Sequence, residues 1–113
     1  MNDEPGAKAV AKVVEGASMS TVNLAEVVSK LVERGLESGQ VHASVDILGI
    51  VMHDFTVADA VAAGDLRATT RHLGLSLGDR ACIALADRVG GTVLTADSAW
   101  ARGKLPVTIK LIR

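Results

Sequence analysis

The stretch from Ser76 to Gly91 constrains the fold more than any other. Leu77, Ala81, Ala84, Leu85 and Val89 recur at helical spacing, and Cys82, Ile83 and Ala86 widen that apolar face. A helix apolar around so much of its circumference must be deeply buried. Ser76 is a good opening residue and Gly90-Gly91 a stop. Thr92, Val93 and Leu94 follow directly and read as a short buried strand. A helix hidden on most sides and a strand hidden with it point to helices layered on a sheet.

The rest of the chain supports this. Ala7, Val10, Ala11 and Val14 have helical spacing after Pro5, with Gly16 as a stop. Ala17 to Ser20 is a short strand candidate. Asn23 to Arg34 is an amphipathic helix with Leu24, Val27, Val28 and Leu31 on one face. Ser38 to Leu48 reads as a helix, Ile50 to Met52 as a strand, and Val57 to His72 as a helix interrupted by Gly64. Ser98 to Arg102 makes a helical turn or two, and Val107 to Ile112 closes the chain as a strand. Alternating helices and strands predict a three-layer α/β/α fold with a mostly parallel sheet. At 113 residues, one domain accounts for the chain.

Composition narrows the function. One Phe, one Trp and no Tyr exclude a surface that stacks single-stranded bases on aromatic platforms. Trp100 reads as a packing anchor. Cys82 is the only cysteine, which excludes an internal disulfide and zinc-ligand spacing, so it reads as core. His42, His53 and His72 have no metal-ligand spacing. No apolar run approaches the ~20 residues of a membrane span, and the start is acidic and polar, unlike a signal peptide. A soluble cytoplasmic protein is expected. Residues 1–56 carry four Lys/Arg and eight Asp/Glu, and residues 57–113 carry eight and five. The second half therefore bears the positive charge, which suits a side facing nucleic acid but also an ordinary solvated surface.

Three acids stand out by position: Glu26 and Asp79 near helix starts, and Asp97 just after a strand. Ligands of open α/β sheets bind beyond the carboxyl ends of the strands. Two carboxylates ~5 Å apart repel by roughly 3 kcal/mol at an effective dielectric of ~20, so a proton or a cation must join them. A hard divalent cation takes oxygen ligands and activates water against a phosphodiester. Capping answers the same pattern. Asn23-x-x-Glu26 and Ser76-x-x-Asp79 resemble capping boxes, and Asp97 can be an N-cap. Arg80 is open between a phosphate contact and a structural ion pair.

In combination these segments resemble a known family. Asn23-Leu24-Ala25-Glu26-Val27, Leu73 to Cys82 (Leu-Gly-Leu-Ser-Leu-Gly-Asp-Arg-Ala-Cys) and Leu94-Thr95-Ala96-Asp97-Ser98-Ala99-Trp100 are similar, in order and spacing, to segments of PIN-domain ribonucleases. The similarity is greatest to the VapC toxins of toxin–antitoxin pairs. The resemblance implies a Mg²⁺- or Mn²⁺-dependent endoribonuclease. Glu26, Asp79 and Asp97 would be its catalytic and metal-holding acids, and Arg80 a substrate contact. It also implies an RNA substrate, a cognate antitoxin and a homodimer. Family members open with an apolar strand ending in Asp, central in the sheet. This chain resembles the family only from the loop after that strand. The expectation is thus a PIN-like domain over 1–113 that lacks its first strand, folds incompletely and cleaves weakly. The alternatives are an inactive PIN-like module that binds an antitoxin or RNA, and an α/β interaction domain whose acids only cap helices.

Overall fold

The computed structural model describes residues 13–14, 18–95 and 97–111. Nine regular elements follow the chain in the order β1 (Val13–Val14), β2 (Ser18–Ser20), α1 (Thr21–Glu33), α2 (Ser38–Ile47), β3 (Val51–His53), α3 (Val57–Thr70), α4 (Leu77–Val89), β4 (Thr92–Thr95) and β5 (Thr108–Leu111). Short 3-10 turns at Arg71–Leu73 and Ser98–Arg102 complete it. The expected elements are present from Ser18 onward, each displaced by a residue or two.

The sheet runs β3-β2-β1-β4-β5. β2 is parallel to β3 and β4 is parallel to β5. β1 is antiparallel to both of its neighbours, Val14 facing Ser18 on one side and Val93 on the other. Four strands therefore share one direction and one opposes them. The helix expected over Ala7 to Val14 is corrected at its end, because Val13 and Val14 are strand. Two adjacent β-branched residues fit a ladder well, and the place between β2 and β4 offers hydrogen bonds on both sides. The remainder of that expected helix lies outside the described residues. Between β2 and β4 the described residues place the two-residue, antiparallel β1.

Two apolar clusters pack the halves of the sheet. Met19 of β2, Val27 of α1 and Val41 of α2 are buried together, with Leu24, Leu31 and Met52 against them. Leu75, Cys82, Ile83, Leu85, Val93 and Trp100 form the second, with Leu66, Val107 and Ile109 against it. Each half also pairs its inner residues across strands, Met19 with Met52 and Val93 with Ile109. α4 touches β1, β2 and β4 as well as α1 and α3. Arg80 to Ala86 are buried without interruption, so this helix is enclosed as its composition requires. Exposure is confined to its ends, Leu77 at one and Asp87 to Val89 at the other. Gly90 stops it with φ 73°, a left-handed cap that glycine adopts without a Cβ penalty.

A pair the sequence reading overlooked locks α3 to α4. Asp59 is the capping-box partner of Thr56 at the start of α3. Its two oxygens also accept from Arg88, Oδ1 from Nε at 2.9 Å and Oδ2 from a terminal nitrogen at 3.1 Å. The Asp59 side chain is 4% exposed and the Arg88 side chain 39%. The guanidinium holds the Asp59 carboxyl below its ordinary pKa, with burial opposing and the Thr56 backbone assisting. A lowered folded pKa contributes stability that is present above the unfolded value of about 3.9 and lost as pH falls through the folded one. Asp59→Ala should cost about 1–3 kcal/mol through the lost cap and charge-assisted bonds. The ion pair itself adds little to that, being screened on its Arg88 side. Urea midpoints at pH 7 and pH 3 check this. The wild type should approach the variant at the lower pH, and a constant gap would refute the assignment.

Candidate active site

Glu26 does not cap its helix. The cap of α1 is Ser20, whose hydroxyl accepts from the Val22 amide at 3.2 Å, so Asn23 and Glu26 lie inside the helix. Asn23 is fully buried. Its Nδ2 donates to Glu26 Oε1 and to the Gly78 carbonyl, both at 3.0 Å. The Glu26 carboxylate rests directly on Gly78, where an added Cβ would run into it. Gly78 is glycine for lack of space, since its φ is not among the positive ones. The next residue is Asp79. Glu26 of α1 thus lies against the residue that precedes Asp79 at the start of α4.

Asp79 does cap. Its Oδ2 accepts from the Ser76 amide at 2.9 Å, and its own amide donates to Ser76 Oγ at 3.1 Å. Asp97 caps the turn after β4 by accepting from the Ala99 amide on Oδ1 at 2.9 Å, and its amide donates to Thr95 Oγ1 at 3.1 Å. Both caps fix a carboxylate near the N-terminal end of a helical segment. Asp97 is exposed beyond the C-terminal end of β4. Among the described residues, no three of His, Cys, Asp and Glu lie close enough together to hold a metal ion. Glu26, Asp79 and Asp97 are not gathered with one another into such a group.

Arg80 turns the other way. It is 9% exposed and donates to the Ala63 carbonyl of α3 at 2.9 Å. This places the guanidinium inside the α3–α4 contact, and among the described residues its partner is a carbonyl. Trp100 and Cys82 are core, as expected. His53 is half-buried with Nε2 3.2 Å from Ser18 Oγ, and His42 and His72 are exposed.

The sequence matches the PIN domain family over residues 1–104. The chain belongs to the PIN domain family. It matches no curated protein and no solved structure. PIN domains are generally nucleases dependent on divalent metal ions, and their α/β/α fold is the one seen here. The residues of this PIN domain fit such an ion by chemistry. Glu26, Asp79 and Asp97 offer hard oxygen donors, as Mg²⁺ and Mn²⁺ prefer. In arrangement they fall short, because among the described residues no three such donors are gathered. No helix among the described residues is long and apolar enough to cross a membrane.

The sequence reading missed two residues of this site, Asn23 and Gly78. The Asn23-x-x-Glu26 spacing points to Asn23 as the cap, and no local pattern marks Gly78 as a contact of Glu26. Ser20, three residues before Asn23, was the available signal that the helix starts earlier.

Proposed function

We propose that this PIN domain is a metal-dependent endoribonuclease of the VapC toxin type, weak as the chain stands. The observation that carries the reading is the seating of Glu26 on Gly78 beside Asp79. Capping does not account for it, and the carboxylate of the next residue, Asp79, would give a cation at Glu26 a further oxygen donor. Glu26 and Asp79 would hold Mg²⁺ or Mn²⁺, with Asp97 reaching in from the end of β4. The bound ion would supply Lewis acidity toward a phosphodiester. The chain's own residues do the placing: Ser76 orients Asp79, the Ala99 amide orients Asp97, and Asn23 holds Glu26. The excess of Lys and Arg in the second half of the chain favours approach of RNA. With the three acids not gathered into one group, the hold on the ion is loose, and slow cleavage follows. An RNA substrate, a cognate antitoxin and a homodimer belong to the same proposal.

The incomplete donor group favours one other reading, an inactive PIN-like module that binds an antitoxin or RNA. Incubation of the purified protein with structured RNA separates the two. Slow cleavage that needs Mg²⁺ or Mn²⁺ and stops with EDTA is the expected result. Binding of RNA without cleavage at any metal concentration would favour the inactive module.

A further inference from the structure

Asn23 is the one fully buried side-chain amide that reaches Glu26. Its two Nδ2 partners, Glu26 Oε1 and the Gly78 carbonyl, are acceptors, so the amide has one allowed orientation. Rotating it would set Oδ1 against two oxygens. In the allowed orientation Oδ1 is buried and has no hydrogen-bond partner among the described residues. An unpaired buried acceptor destabilises a fold. A leucine of similar volume would carry no such penalty, and the Gly78 carbonyl, in the first turn of α4, also has the helix's own ladder to accept from. What the amide provides and leucine would not is a donor that fixes the Glu26 carboxylate on Gly78.

We infer that Asn23 is a positioning residue for Glu26 as a metal ligand. It braces that carboxylate against Gly78, at the start of α4, before any ion arrives. This rests on the metal reading above. A free glutamate side chain loses rotamer freedom when an ion fixes it, and one already held loses less. Residues that orient a metal ligand change affinity by roughly 10- to 100-fold when removed.

The test is a double-mutant cycle read by calorimetric titration with Mn²⁺ alone, with thermal melts of the same proteins. Asn23→Leu should lower Mn²⁺ affinity by about 10-fold or more while leaving the melting temperature unchanged or higher. In a Glu26→Gln background, Asn23→Leu should lower affinity no further. An equal loss in both backgrounds, or a loss that only accompanies a lower melting temperature, overturns the inference. Should Asn23→Leu fail to fold, Gly78→Ala approaches the same contact from the other side. Its Cβ meets only the far end of the Glu26 side chain, so the fold can adjust. It should lower affinity in the wild-type background and not in Glu26→Gln, and wild-type affinity in Gly78→Ala would overturn the inference. A wild type that binds no Mn²⁺ overturns the metal reading and this inference with it. A wild type that binds, with additive losses in the cycle, overturns this inference alone.

Discussion

Replacing Asp79 and Asp97 together by asparagine should remove Mn²⁺ binding and RNA cleavage while leaving the melting temperature where it was. Both aspartates cap helical segments, and asparagine caps about as well as aspartate. Its amide oxygen can still accept from the Ser76 and Ala99 amides. The substitution therefore keeps what capping needs and removes only charge and anionic oxygen. A metal site loses two hard ligands by the same change. Changes one layer further out cost 10- to 100-fold, so the loss here should be at least ~100-fold. If Mn²⁺ titrates the double variant as it does the wild type, these acids are caps and nothing more.

Trp100→Ala should be the most damaging single change to the fold, at about 3–5 kcal/mol. Trp100 is 2% exposed and sits in the cluster with Leu75, Ile83, Leu85 and Val93. Few chains of this size can lose that much, since the whole margin is ~5–15 kcal/mol. The position also matters to the site. Trp100 donates its amide to the Asp97 carbonyl at 3.3 Å, and its ring fixes the turn that Asp97 caps. Urea unfolding checks the value, and Trp100→Phe should recover part of it. A loss below ~1 kcal/mol would show that the turn is held by something other than this ring.

Much of the fold was legible because it depends on local signals. Ser76, Asp79 and Gly90 mark the ends of α4 with side chains that act on their own neighbourhood, and the structure uses all three as read. The α1 site was harder. Ser20, Thr21 and Asn23 are all polar and all near the helix start, and spacing from Glu26 selected the wrong one as cap. That Asn23 is buried depends on Gly78, 55 residues away, and no helical period carries that information. Asp59 and Arg88 pair across 29 residues for the same reason, although Thr56-x-x-Asp59 repeats the pattern recognised at Ser76-x-x-Asp79. Val14 fell on a helical spacing from Val10, and sheet pairing overrode it. Arg80 follows a site acid in sequence, yet successive residues of a helix point about 100° apart, which is how it came to face α3.

The single opposed strand gives the sheet an uneven mechanical character. Backbone ladders join β2 to β3 over three residue pairs and β4 to β5 over four, but among the described residues the two halves of the sheet are joined by the pairings of Val13 and Val14. The halves resemble two leaves of a book whose stitching is short. α4 lies along them as the spine, touching β2 on one leaf, β4 on the other and β1 between. Glu26 belongs to the first leaf through α1, Asp97 to the second through β4, and Asp79 to the spine itself. Glu26 and Asp97 therefore stand on opposite sides of this short seam, and α4, which carries Asp79, is the element in contact with both sides.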